Sequence, residues 1–508
     1  MRFREIARSR KGLTALVVTG LAAAAVGTAA VTERSDTGRA ESLDRYYHQR
    51  LDWKSCAEPE LDDAGARCAE VTVPLDYTQP QGRTLTVAIS RIPATDPAQR
   101  HGVMLSNPGG PGGAGLDYFV DTSKAMTADV RARYDLIGMD PRGVGRSTPV
   151  NCHWPTGFGL QFAGVDAKGF AESEATQRDL ADRCATAEGD RLPYITTRNT
   201  ARDMDVIREA LGERQISYLG TSYGTYLGAV YAQMFPERSD RFVLDGSVDP
   251  ERYGASGMVQ LMGAPNEAAL DAWAVWVAAR SDEYRLGATG PEVRATIEQL
   301  IARAAERPIR IGDFDVDAHT LPMVLYIPFD SPHGYALAAQ QMRELADAAA
   351  GTPVQPDEDL AGKLAIILRA RPHDLSPQMA VLCGDAGVPR DPAWYRRNLE
   401  AARTTEPVFG ALAENITPCA FWAPPVESPT VIGNSVPTLI VQATGDTRTA
   451  YSGALVMHRA LTASRMVTLQ DVAIHSIFGR YPNTCVYGAV NTYLRDGSLP
   501  AADVTCRD

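Results

Sequence analysis

The chain has 508 residues, 44% hydrophobic and 22% charged, which suits one large domain with an insertion or two domains. A formal charge of −12 argues against nucleic acid or an anionic membrane as the main partner. The eight cysteines (56, 68, 152, 184, 383, 419, 485 and 506) include no C-x-x-C pair, and H-E-x-x-H is absent, so neither a metal nor another cofactor is expected.

Arg2, Arg4, Arg8, Arg10 and Lys11 precede an apolar run over 12–27, and Thr28-Ala29-Ala30 supplies small residues for cleavage. Residues 1–30 are read as a secretory signal peptide, with a membrane anchor as the weaker alternative. Export makes the even cysteine count a set of four disulfides. Eight cysteines allow on the order of a hundred pairings, and pairing in consecutive order, which closes four modest loops, is preferred.

Beyond the leader, short β-rich runs fall at 84–92, 103–106, 135–139, 216–219, 241–244, 438–442 and 466–469, with helical patterns at 200–211 and 225–234 between them. Strands alternating with helices predict an α/β fold with a mostly parallel sheet covered on both faces. Between 250 and 435 the rhythm is lost. Ala-rich helical stretches at 268–279, 291–305 and 334–350 replace it, and the alternation resumes at 436. The expected organisation is a core of residues 31–249 and 436–508, interrupted by a mainly helical cap over 250–435.

The run at 216–219 leads into Gly220-Thr221-Ser222-Tyr223-Gly224, a G-x-S-x-G nucleophile elbow. A serine hydroxyl needs a histidine to take its proton and a carboxylate to orient that histidine. In such folds the acid and then the histidine follow on loops after later strands. Asp446 follows the run at 438–442 and His475 follows that at 466–469; Asp471 is the nearest rival acid. The other histidines (48, 101, 153, 319, 333, 373 and 458) occupy no such position.

Asn107-Pro108-Gly109-Gly110-Pro111-Gly112-Gly113 directly follows the run at 103–106. A glycine loop lets backbone N–H groups reach a developing oxyanion. The donors are assigned to the N–H groups of Tyr223 and Gly110, with Gly109 as the fallback. The same stretch contains G-x-G-x-x-G from Gly110 to Gly115 with Asp135 downstream, so a dinucleotide-binding oxidoreductase is a rival. Pro111, which removes a donor from the loop, counts against it.

The segments 107–113, Asp140-Pro141-Arg142-Gly143, 220–224 and Leu244-Asp245-Gly246, with Leu75-Asp76-Tyr77 and Pro418-Cys419-Ala420-Phe421-Trp422, resemble the α/β-hydrolase family of prolyl iminopeptidases. Within it they resemble the tripeptidyl aminopeptidases secreted by actinomycetes. The resemblance implies an α/β-hydrolase fold and a secreted serine exopeptidase acting on peptides with a free N-terminus through Ser222, Asp446 and His475. A secreted carboxylesterase or a peptide- or antibiotic-processing hydrolase is the alternative, and a binding module without activity a weaker one. An aminopeptidase needs a carboxylate for the substrate ammonium, and Asp385, beside Cys383, is a candidate.

Overall fold

The computed structural model of the protein describes residues 43–371 and 374–508. The expected signal peptide and His373 lie outside these residues. Among the described residues no helix is long and apolar enough to cross a membrane.

The strands in chain order are β1 (Arg67–Pro74), β2 (Thr84–Ile92), β3 (Gly102–Asn107), β4 (Tyr134–Met139), β5 (Ile216–Thr221), β6 (Ser239–Asp245), β7 (Ile309–Ile311), β8 (Phe314–Val316), β9 (Thr438–Ala443), β10 (Ser464–Leu469) and β11 (Val504–Cys506). Nine of them form one sheet in the order β1-β2-β4-β3-β5-β6-β9-β10-β11, while β7 and β8 pair as a separate hairpin. β2 runs antiparallel to β1 and to β4, and the remaining neighbours are parallel. The sheet is therefore α/β and mostly parallel, as the alternation of strands and helices implies.

Every residue of β3, β4, β5 and β9 is buried, the pattern of parallel strands covered on both faces. On one face Leu219, Val243, Leu439, Val441 and Val467 pack with Val486, Val490 and Leu494 of the helix Thr484–Asp496. On the other, the rings of Tyr218 and Tyr231 meet Phe242. Tyr231 belongs to the helix Tyr223–Met234, which Pro236 stops shortly after its end. The helix Thr197–Ala210 starts on Thr196, whose hydroxyl accepts the Asn199 N–H at 3.2 Å.

The residues between β6 and β9 are mainly helical and include Gly263–Ala278, Gly290–Glu306, Tyr335–Ala349 and Ser376–Asp385. The hairpin β7–β8 is the strand content of this mainly helical region. The cap's apolar cluster also takes in Phe162, Ala163 and Phe170, from the long connection between β4 and β5. The longest helix of that connection is Ala167–Glu188, which no sequence pattern announced. Four disulfides join Cys56–Cys68, Cys152–Cys184, Cys383–Cys419 and Cys485–Cys506, the consecutive order.

Two of the motifs that carried the resemblance are structural. The guanidinium of Arg142, fully buried, pairs with Asp203 and donates to the carbonyls of Pro74, Leu75 and Tyr194. Tyr77 donates to the same aspartate at 2.7 Å. A buried carboxylate needs such partners, and this group fastens the start of the core to the helix Thr197–Ala210.

Candidate active site

The loops that follow β3, β5, β9 and β10 leave the carboxyl ends of their strands, where ligands bind in open α/β sheets. At the end of β5 the chain turns so sharply that Ser222 takes φ 59°, ψ −126°, a costly conformation for a residue with a side chain. A Cβ on Gly220 would lie 2.4 Å from the Gly224 carbonyl oxygen, and one on Gly224 would lie 2.4 Å from that of Asn107. The glycines of the elbow are thus required by close backbone approach. The Ser222 N–H donates to the Asp245 carbonyl at 2.9 Å, which ties the elbow to the end of β6.

Asp446, on the loop after β9, is 1% exposed. Its Oδ1 accepts the N–H groups of Arg448 and Thr449 at 2.8 and 2.9 Å, and its Oδ2 accepts the Thr449 hydroxyl at 2.8 Å and the Gln442 amide at 3.3 Å. His475 Nδ1 lies 3.0 and 2.9 Å from the two oxygens. Burial alone would raise this carboxyl, but His475 and the surrounding donors outweigh it and hold Asp446 below the usual carboxylate range. An ionised carboxylate only accepts, so Nδ1 carries the proton and Nε2 of the neutral ring is left basic. Asp471, the rival acid, is exposed and makes no bond to His475 among the described residues.

The loop carrying His475 is held from two sides. Its own N–H donates to the Asp330 carbonyl of the cap at 2.8 Å, and Arg480 bridges the His475 carbonyl and the Asp330 carboxylate. Just beyond, the N–H groups of Ile477 and Phe478 donate to the Asp245 carboxylate at 2.8 and 2.7 Å. Asp245 therefore grips the elbow by its backbone and the histidine loop by its side chain. The ring of His475 packs onto the next residue: a Cβ on Gly246 would lie 3.3 Å from its Cε1. The roles of Asp245, Thr449, Gln442 and Asp330 were not read from the sequence. A threonine three residues after an acid at a strand end is the one local signal, since its hydroxyl can turn back onto that acid.

The glycine loop after β3 is pressed against the elbow, and a Cβ on Gly109 would meet Ser222 Cβ at 2.7 Å. The Gly109 N–H is already taken by the Asn107 side chain at 3.0 Å. The N–H of Gly110 has no protein acceptor among the described residues. The Tyr223 N–H leads its helix, beyond reach of any intrahelical carbonyl. Of the two glycines, Gly110 is thus the one with a donor to offer. Asp135, the acid a dinucleotide site would use, is committed to Arg91, Arg100 and the Ala94 N–H.

Asp385, expected near a substrate amine, is buried and already engaged by protein donors: the Thr197 N–H at 2.7 Å, the Thr197 hydroxyl at 2.6 Å and the Tyr253 hydroxyl at 2.8 Å. Its carboxylate is not the open acid that an incoming ammonium requires. A cavity of about 530 Å³ bounded by Gln161, Asp166, Glu172, Glu306, Asp317 and His319 lies elsewhere, and none of Ser222, Asp446 or His475 lines it.

The chain matches the alpha/beta hydrolase fold over residues 102–307 and a TAP-like protein family over residues 406–506. It is 35% identical over 492 residues to a tripeptidyl aminopeptidase of Streptomyces coelicolor, covering 93% of this chain and 89% of that one. The serine protease Hip1 of Mycobacterium tuberculosis is 28% identical over 92% of this chain and 93% of its own. Carboxylesterase B of Mycobacterium tuberculosis is 32% identical over 97% of this chain and 96% of its own. The chain belongs to the α/β-hydrolase family that includes the Streptomyces tripeptidyl aminopeptidases, and it is a serine hydrolase.

Proposed function

We propose that the protein is a secreted exopeptidase that releases short peptides, tripeptides first among them, from free N-termini. His475 Nε2 takes the Ser222 hydroxyl proton as Oγ attacks the scissile carbonyl. The oxyanion of the tetrahedral intermediate accepts hydrogen bonds from the N–H groups of Gly110 and Tyr223. Asp446 stabilises the imidazolium, which then gives its proton to the departing amine as the C–N bond breaks. Water, activated by the same histidine, hydrolyses the acyl-enzyme. The observation that carries this reading is the Asp446–His475 pair, packed on Gly246 beside an elbow serine, in a chain 35% identical to a tripeptidyl aminopeptidase. Four disulfides and the signal-like start support export.

The second reading is a carboxylesterase, favoured by the 32% identity to a protein of that name. Three substrates separate the two: a tripeptidyl p-nitroanilide with a free amine, its N-acetylated form, and a p-nitrophenyl ester lacking any amine. Acetylation removes a charge-assisted hydrogen bond, so an aminopeptidase loses roughly ten- to a hundredfold in kcat/KM. The same acylation machinery serves the ester, which is hydrolysed with or without the amine. Ser222→Ala lowers turnover on every substrate by about 10⁴–10⁶-fold. Equal rates on the free and acetylated peptides would reject the exopeptidase, and an active Ser222→Ala enzyme would reject the nucleophile.

A further inference from the structure

Asp385 occupies the last position of the helix Ser376–Asp385, where the negative end of the helix dipole opposes a carboxylate, and it is only 7% exposed. Burying a charge there is costly unless it is fully bonded. The compensation comes from outside the helix. Asp385 Oδ1 accepts the N–H of Thr197, the first residue of the helix Thr197–Ala210, whose positive end favours an anion. Oδ2 accepts the hydroxyls of Thr197 and Tyr253.

These contacts lead to the elbow. The Thr197 hydroxyl gives its single proton to Asp385, so the Tyr223 hydroxyl, 2.7 Å away, donates to Thr197. The ring of Tyr253 stacks on Tyr226, with centroids 3.6 Å apart. Tyr223 and Tyr226 make up the first turn of the helix whose leading N–H is an oxyanion donor in the mechanism above. The other end of the helix Ser376–Asp385 meets the second donor. Gln378 Nε2 donates to the Gly110 carbonyl at 3.3 Å, and a Cβ on Gly112 would lie 2.8 Å from the Gln378 nitrogen. The disulfide Cys383–Cys419 holds this same helix within the cap. The charged groups nearest Asp385 are otherwise occupied: Glu427 is paired with Arg198 and Arg202.

We propose that Asp385 is a positioning residue: through Thr197 and Tyr253 it fixes the first turn after Ser222, and the helix it ends spans both halves of the oxyanion hole. The proposal rests on the assignment of Gly110 and Tyr223 as oxyanion donors. It gives the cap a part in transition-state stabilisation, not only in enclosing substrate.

The test uses the full-length enzyme with Asp385→Asn, Thr197→Val and Tyr253→Phe, measured on a free-amine tripeptidyl p-nitroanilide and on an amine-free p-nitrophenyl ester. Displacing an oxyanion donor without removing it should lower kcat roughly ten- to a hundredfold for Asp385→Asn, by a similar factor on both substrates, with KM nearly unchanged. Phosphonylation of Ser222 by a fluorophosphonate should slow in parallel, because its phosphoryl oxygen uses the same donors. Thr197→Val, which keeps the N–H contact to Asp385, should give a smaller loss of the same kind and covers the case in which Asp385→Asn does not fold. Wild-type kcat with a lowered thermal midpoint would reduce Asp385 to a structural residue. A raised KM confined to the free-amine peptide would make it a ligand of the substrate amine. Wild-type enzyme that reacts with the fluorophosphonate elsewhere than at Ser222 would overturn the underlying mechanism, independently of any Asp385 variant.

Discussion

Among single residues, Thr449 shows how much of the site depends on a side chain that touches no substrate in the proposed mechanism. Its N–H and its hydroxyl reach different oxygens of Asp446, at 2.9 and 2.8 Å. Thr449→Val keeps the N–H and the branched shape but removes the hydroxyl, leaving Gln442 as the remaining side-chain amide on Oδ2. A hydrogen bond to a charged group is worth ~1.5–3 kcal/mol, so kcat/KM should fall roughly ten- to a hundredfold. Steady-state kinetics on the ester check this, and a wild-type rate would show that Gln442 and the backbone suffice. Ser222, Asp446 and His475 stood out in the sequence because chain order and strand-end placement single them out. Thr449 and Gln442 did not, because a polar residue near a turn acid is ordinary loop chemistry until β9 and its loop fold back together.

At the level of elements, Asp245 links β5, β6 and the loop after β10. Burial, only partly offset by the N–H groups of Phe478 and Ile477, pushes its carboxyl up from 3.8 to about 7. In the folded chain it therefore keeps a proton that the unfolded chain has released, between about pH 4 and pH 7. Its contribution to stability falls as pH rises through that window and is level on either side. Asp446, whose carboxyl is held low, acts in the opposite sense at lower pH. Asp245→Asn stays neutral throughout, so the stability gap between wild type and variant should narrow by a few kcal/mol from pH 4 to pH 7. Denaturant unfolding at both pH values measures it, and a constant gap would mean that Asp245 does not titrate in the folded protein. The strands that frame this linkage were legible as apolar runs, and elsewhere in the sheet β2 matches its run to the residue. The helix Ala167–Glu188 was not, because it buries Gly169, Ser173, Gln177 and Cys184 among its inward positions, and a face built of such residues gives no apolar period. The hairpin β7–β8 and β11 are too short, at three residues per strand, to leave a pattern.

For the whole molecule, the consecutive disulfides act as local staples, and their positions predict different consequences. The joined cysteines are 12, 32, 36 and 21 residues apart. Loop-closure entropy assigns each about 3–4 kcal/mol, acting mainly by constraining the unfolded chain. Their effects on stability should therefore be alike, but their effects on activity should not. Cys56–Cys68 fastens the segment before the sheet to β1, at the far edge of the sheet from β9 and β10. Cys383–Cys419 fastens the helix that ends in Asp385 and touches Gly110 through Gln378. Replacing both cysteines of the first pair by alanine should lower the thermal midpoint and leave kcat of the folded enzyme unchanged. Replacing Cys383 and Cys419 should lower the midpoint comparably and reduce kcat as well, because the strut between the two proposed oxyanion donors loses its anchor. Thermal unfolding paired with kinetics at a temperature where both variants are folded makes the comparison. Equal kcat in the two variants would mean that packing alone holds the helix Ser376–Asp385 in place, leaving the disulfide to act only on the unfolded chain.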